Sequence, residues 1–150
     1  MVTKINIRDF QQKDIDELIY HLAVQTLLDI KAIYGQITKL DIDEATRLAI
    51  VSKTILFGNR IAAIVVGVPS ENKESLNLFL YATTEGFSKL DMLKEAMFSV
   101  INSLQKNKIC SIVYKGNKKL QSILRASGLK FKRSVCFGKE NRQFYLYVKE

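Results

Sequence analysis

The sequence has few of the residues, and none of the long segments, that mark several protein classes. Its 150 residues include two cysteines, one proline, one histidine and no tryptophan. Two cysteines without CxxC spacing and the lone His21 argue against a zinc site, and we expect Cys110 and Cys136 to be small buried residues. No apolar run approaches the roughly 20 residues of a membrane span, and the N-terminus lacks the apolar core of a signal peptide. We therefore expect a cytoplasmic protein without a metal or a membrane contact.

What is present suits one compact domain. The chain is 47% hydrophobic and 25% charged, and it contains only seven glycines, which argues against a disordered or repetitive chain. A sequence of this length normally forms one domain with its own core. We predict a single domain over residues 1–150.

Positive charge is concentrated in the last third of the chain. The net charge is +8, and residues 106–150 contain twelve Lys or Arg against Glu140 and Glu150, so this segment carries +10 and residues 1–105 carry −2. Such an asymmetry suits an acidic protein surface, a phosphate-bearing ligand or nucleic acid. A solvated lysine-rich surface without a function explains it as well.

Hydrophobic periodicity predicts the order of strands and helices. Strands are predicted over 3–8, 54–57, 61–68, 76–82, 109–114, 131–137 and 143–149. Helices are predicted over 14–34, 41–52, 88–104 and 117–128, with Asp14, Asp41, Ser88 and Asn117 as N-terminal caps. This order indicates an α+β fold: a mixed, mostly antiparallel sheet of about six to seven strands with about four helices and one strand-helix-strand crossover.

Two segments make the chain resemble the GNAT superfamily of acetyl-CoA-dependent N-acyltransferases. "INIRDFQQKDIDEL" is similar to the family's opening strand and helix. "IVYKGNKKLQSILRASGLKF" is similar to its fifth strand, an Asn-led helix and the step into the sixth strand. The resemblance covers the whole chain and implies the GNAT fold, with acetyl-CoA bound between the fourth and fifth strands.

The cofactor motifs of the family are altered in this sequence. Family members carry a tyrosine seven residues after the Asn that leads the helix, and Leu124 stands there after Asn117. The family's glycine-rich phosphate loop is replaced by "YATTEGFSKLDML", which puts Ser88 and Leu90 at the two glycine positions and leaves Gly86 as the loop's glycine. Side chains at these positions crowd the approach of a phosphate to the backbone.

The resemblance implies where a site would lie if acetyl-CoA binds. The cofactor-binding positions are Ala82, Thr83, Gly86, Ser88, Lys89, Leu90 and Asn117. The catalytic candidates by position are Tyr81, Glu85 and Tyr114. The chemistry would need an oxyanion donor from the backbone at residues 81–83 and a proton donor for the departing thiolate.

Three functions follow from these patterns. "KTILFGNRIAAIVVG" and the C-terminal segment are similar to GNAT-like proteins of short-tailed bacteriophages, including the internal virion protein A family. That likeness implies a non-catalytic binding or assembly protein, associated with the virion or with a protein partner in a phage or host complex. The alternatives are an acetyl-CoA-dependent N-acetyltransferase and a nucleic-acid-binding protein that uses basic residues within 106–150. For the last, we expect Phe131 and Phe137 to be core residues rather than exposed stacking platforms.

Overall fold

One seven-stranded sheet organises the molecule. The computed structural model describes residues 4–34, 39–71, 74–104 and 108–150. The strands are β1 (Ile5–Asp9), β2 (Val51–Phe57), β3 (Arg60–Pro69), β4 (Ser75–Ala82), β5 (Lys108–Tyr114), β6 (Lys130–Phe137) and β7 (Arg142–Lys149). Their spatial order is β1-β2-β3-β4-β5-β7-β6, so β1 and β6 are the edges. All neighbouring strands are antiparallel except β4 and β5, which are parallel. The predicted α+β class and mixed sheet are therefore confirmed.

Six helices cover the two faces of the sheet in the part of the chain that the structure describes. They are α1 (Asp14–Tyr20), α2 (Val24–Tyr34), α3 (Lys39–Leu48), α4 (Thr84–Ser88), α5 (Leu90–Ser103) and α6 (Lys118–Ala126). None of the described helices is long and apolar enough to cross a membrane.

Strand alternation divides the core into two clusters. Ala63 and Val65 on β3 face a cluster that contains α5 and α6 residues such as Leu93. Ile64 and Val66, the alternate residues, face a second cluster with residues from α1, α2 and α3. Because successive side chains of a strand point to opposite faces, the sheet is sandwiched between the two helical layers.

The single helix predicted over 14–34 is wrong, because the helix is broken at residues 21–23. The Ala23 N–H donates to the Ala82 carbonyl (3.0 Å), and the Thr84 N–H donates to the His21 carbonyl (2.9 Å). Leu22 and Thr83 form an isolated antiparallel bridge. These hydrogen bonds pair the backbone of the break with the end of β4, although the apolar periodicity runs through the break.

The predicted helix caps have mixed outcomes. Asn117 is confirmed, since its side-chain oxygen accepts from the Leu120 N–H (3.1 Å). Ser88 is wrong: it ends α4, and Lys89 precedes α5 without a side-chain cap. Asp14 is wrong as a cap too, because it lies inside α1 and is bound by Arg8 and the Thr54 hydroxyl. The side chain of Asp41 lies outside the described residues.

Strand β6 is more exposed than its sequence predicts. Phe131 is 52% exposed and Phe137 is 36% exposed, so neither is the core residue that we expected. Cys136 is also exposed, whereas Cys110 is buried as predicted. The reason is topological: β6 is an edge strand, and every residue of it is exposed except Val135, which is half-buried.

Candidate functional site

The parallel strands β4 and β5 separate along their length and form a cleft. They pair only at their first residues, Ser75 with Lys108, Leu76 with Ile109 and Asn77 with Cys110. At the end of the paired region the Ser111 hydroxyl donates to the Leu78 carbonyl (2.9 Å). Beyond that point the described residues of β4 and β5 form no further strand pairs. We call the space between Leu78–Ala82 and Ser111–Tyr114 the β4–β5 cleft.

Helix α2 fills this cleft from one side. Thr26, Asp29, Ile30 and Ile33 of α2 line it together with the two strands and Leu120 of α6. Thr26 and Ile30 are buried, at 2% and 1% exposure. The space that remains among these residues is about 20 Å³. That is room for about one water molecule, far below the roughly 300 Å³ of a small-molecule pocket.

The backbone of β4 that faces the cleft is used by the chain itself. The Ala82 N–H donates to the Thr26 hydroxyl (3.3 Å). The Ala82 carbonyl accepts from the Ala23 N–H (3.0 Å). In an antiparallel pair the backbone groups alternate in direction, so Leu80 presents its N–H and carbonyl to the same side as Ala82. An extended ligand lying along β4 would therefore meet α2 and the segment that precedes it.

Asp29 is an ionisable group of α2 that lines the cleft. Its Oδ2 accepts from the Asn117 side-chain amide (2.6 Å), which joins α2 to the start of α6. Its Oδ1 is buried and has no hydrogen-bond partner among the described residues. Burial raises the pKa of Asp29 to about 7, and the hydrogen bond from Asn117 opposes that rise. A large fraction of Asp29 is therefore protonated at neutral pH.

A short helix stands where the family's phosphate loop would lie. The Thr83 hydroxyl caps α4 by accepting from the Gly86 N–H (3.1 Å). The Thr83 and Thr84 amides donate to the Ala62 and His21 carbonyls (both 2.9 Å). The Lys89 N–H donates to the Gly86 carbonyl. The protein itself therefore uses the backbone amides of four positions that the resemblance assigns to cofactor binding: Ala82, Thr83, Gly86 and Lys89.

Gly86 is required by packing within the protein. A Cβ at this position would lie 2.2 Å from the Ala62 carbonyl oxygen, so the helix can approach β3 only with glycine here.

Ser88 hydrogen-bonds the Glu85 carbonyl (2.7 Å), and the Lys89 ammonium pairs with the Glu85 carboxylate (2.8 Å). Lys119 of α6 reaches across to the Phe87 carbonyl (3.4 Å). Leu90, the first residue of α5, packs against the core cluster.

The three catalytic candidates lie in different surroundings. Tyr81 is buried, lines the β4–β5 cleft and packs in the cluster under α1 and α3. Glu85 lines another cleft, of about 470 Å³, with Glu17, His21, Arg60, Ile61, Thr83 and Thr84. The Tyr114 hydroxyl accepts from Arg142 (3.3 Å), and its ring packs edge-to-face against Phe144. Tyr81 and Tyr114 therefore belong to the two strands of the β4–β5 cleft, while Glu85 faces elsewhere.

Sequence reasoning missed Thr26 and Asp29. Both lie on a helix of mixed apolar and polar residues, where Thr and Asp read as solvent-facing positions. Only the approach of α2 to the ends of β4 and α6 buries them. The signal in the sequence is a pair of polar residues at positions i and i+3 within the largely apolar stretch "VQTLLDI".

Comparison with known proteins identifies the fold. No model of a known protein family matches the chain, and neither does any curated protein sequence. Similar solved structures include Ard1 from Thermoplasma volcanium, at 16% identity, with a TM-score of 0.72 over 97% of this chain and 96% of that one. An N-acetyltransferase from Staphylococcus aureus Mu50 has 12% identity and a TM-score of 0.72 over 98% and 97% of the two chains. Spermidine N-acetyltransferase from Vibrio cholerae, solved with CoA and spermine, has 11% identity and a TM-score of 0.68 over 97% and 94%. At such low identity the likeness shows the architecture alone, and the chain has the fold of GNAT acetyltransferases.

Proposed function

We propose that this chain is a GNAT-fold protein that acts by binding a partner and does not transfer acetyl groups. One observation carries the proposal: the backbone of Ala82 in the β4–β5 cleft is hydrogen-bonded by Thr26 and Ala23. A fold does not fix an activity, and the site has to be argued from its own residues.

The residues of the cleft do not fit acetyl-CoA. A pantetheine arm would need the volume that α2 side chains fill, where about 20 Å³ remains. A pyrophosphate would need free amides at the start of a helix, whereas α4 engages the Gly86 amide with its own Thr83 cap. Leu124 replaces the family's tyrosine and is buried at 1% exposure. We therefore derive no catalytic step through this cofactor.

The proposed partner is a protein in a phage or host assembly, as the resemblance to phage-encoded GNAT-like proteins implies. The basic segment 106–150 supports an acidic partner, either a protein surface or packaged nucleic acid.

An acetyltransferase is the second candidate, because the two strands still diverge and Asn117 still leads α6. In that case α2 would have to leave the cleft, breaking the Ala82–Thr26 and Asp29–Asn117 hydrogen bonds before a cofactor could enter. The two candidates thus differ in whether CoA binds at ordinary concentrations.

Titration calorimetry with acetyl-CoA and with CoA, supported by thermal shift, separates them. We expect no heat and no shift at millimolar ligand. Micromolar binding would overturn the proposal, provided that it comes from this cleft. Lys119→Met tests the location, since Lys119 links α6 to α4 through the Phe87 carbonyl, and Lys118→Met, at an exposed position of α6, is the matched control. Binding that is weakened by the first variant and not by the second would favour the acetyltransferase.

A further inference from the structure

An acid-free basic segment runs from α6 to the edge strand β6. Residues 115–139 contain eight Lys or Arg and no Asp or Glu. They span α6, the turn that follows it and β6, and those of β6 lie on an edge strand of the sheet. Among the described residues, the ion pair formed by these cations is that of Lys132 with Glu150, at 3.9 Å. The positive potential of this edge is therefore largely uncompensated.

An aromatic side chain stands exposed within this basic edge. Phe131 is 52% exposed and packs edge-to-face against Tyr145 (ring centroids 5.1 Å apart) and Tyr147 (6.0 Å). Phe131 pairs with Tyr147 across the strands, which puts it on the face of the sheet that carries α6. The two tyrosines hold the ring at a fixed angle, with part of its surface open to solvent.

Basic residues adjoin the ring on α6 and along β6, where Lys130 points to the opposite face of the sheet. Arg125 of α6 donates to the Tyr147 hydroxyl (3.1 Å), beside the ring that supports Phe131. Lys130 and Lys132 flank Phe131 in β6, and the ladder to β7 is irregular between Phe131 and Arg133, so Lys132 is an extra residue at the edge. The irregularity also changes which residues of β6 point to each face of the sheet. Phe137 contacts Phe144 on the face opposite to that of Phe131. We call Arg125, Lys130, Phe131 and Lys132 the basic-aromatic edge.

We propose that the basic-aromatic edge binds single-stranded nucleic acid, with a base stacked on Phe131 and phosphates held by Arg125, Lys130 and Lys132. Unpaired bases offer faces to an aromatic ring, and a row of cations follows the phosphate backbone. A duplex hides its base faces, so Phe131 would add nothing to duplex binding. An acidic protein would need the cations alone. A second copy pairing edge to edge would bring like charges together. The edge is separate from the β4–β5 cleft, so this proposal stands whether or not CoA binds.

The test is fluorescence anisotropy with a labelled 16-nucleotide dT strand, measured from 50 to 300 mM NaCl. We expect saturable binding at 50 mM that weakens with salt, with a log–log slope between about −2 and −4, as for a few phosphate contacts on a single strand. Phe131→Ala should weaken binding about ten-fold, and Phe131→Trp should retain it. Phe98→Ala is the matched control, because Phe98 on α5 is 51% exposed and lies outside the basic segment. Circular dichroism checks that the variants fold.

Each other outcome overturns part or all of the proposal. No binding at 50 mM NaCl overturns it and leaves a solvated lysine surface. Equal loss in the Phe131 and Phe98 variants overturns the stacking role. Tighter binding to a duplex of the same sequence favours a double-stranded ligand instead. Competition by polyglutamate that matches unlabelled dT at equal charge favours an acidic protein.

Discussion

Asp29→Asn should remove a loss of stability that the wild-type protein suffers as pH rises. The carboxyl is held between α2 and α6 with Oδ2 on Asn117 and Oδ1 buried without a partner. Burial raises the pKa of Asp29 to about 7 in the folded state, against the opposing hydrogen bond from Asn117. In the unfolded chain the same group titrates near the ordinary aspartate value of about 3.9.

The sign follows from proton linkage. Between about pH 4 and pH 7 the folded state holds a proton on Asp29 that the unfolded state has lost. The folded state therefore binds more protons, and the free energy of unfolding falls as pH rises. The slope is about 1.4 kcal/mol per pH unit for one full proton, so the loss between pH 5 and pH 7 is about 2 kcal/mol, and it levels off above the folded pKa.

Urea unfolding of both proteins at pH 5, 6, 7 and 8 measures this effect. Asparagine is neutral and of the same shape, so the difference in unfolding free energy, Asp29→Asn minus wild type, should increase by about 2 kcal/mol from pH 5 to pH 7. The exposed Asp91 on α5 provides the control variant Asp91→Asn. Parallel curves for Asp29→Asn and wild type would refute the reasoning and would mean that Asp29 is ionised and solvated in the folded protein.

Two further predictions concern groups away from the cleft. Arg8→Met should cost about 1–3 kcal/mol at neutral pH, because Asp14 loses its two-fold ion pair (2.8 and 2.9 Å) and keeps the hydrogen bonds from Gln11 and Thr54. Desolvation acts to raise the pKa of Asp14, but the hydrogen bonds to its carboxylate outweigh desolvation and lower the pKa overall. The stability that ionised Asp14 contributes is therefore lost as pH falls through the folded-state pKa. The difference in unfolding free energy between Arg8→Met and wild type should accordingly shrink in acid. Gly86→Ala should cost about 3 kcal/mol by urea unfolding, since its Cβ would lie 2.2 Å from the Ala62 carbonyl oxygen. At Gly116 an added Cβ would meet only ring atoms of Tyr114, the nearer at 3.3 Å, so Gly116→Ala should change stability by less than about 0.5 kcal/mol; equal losses in the two variants would contradict this prediction.

Elements with local signals could be predicted from the sequence. Asn117 caps α6, and Gly128 after it has a φ of +96°, because both roles depend on a few neighbouring residues. The β2–β3 turn has Gly58 at φ +62°, as its Gly-Asn sequence indicates. The parallel crossover from β4 to β5 follows from the helix between them. The fold itself was therefore accessible from pattern and resemblance.

Features that depend on distant contacts could not be predicted. The break at residues 21–23 is made by hydrogen bonds to Ala82 and Thr84, which lie about sixty residues further along the chain. Helix α4 depends on the fit of Gly86 against β3, and the exposure of Phe131 depends on β6 being an edge. The alternation that marks Phe131 as a strand residue is real, but alternation does not say whether a helix covers that face.

The divergence of β4 and β5 explains why α2 takes part in the core. A strand that leaves its neighbour exposes N–H and carbonyl groups, and buried backbone groups of this kind need partners. In this chain Thr26 and Ala23 supply them, and Asp29 ties α2 to α6 through Asn117. Any ligand that entered would first have to break these contacts and then replace them, at a cost of roughly 1 kcal/mol for each hydrogen bond, besides the lost packing of Ile30. The residues that close the cleft therefore also set the free energy that a cofactor would have to overcome.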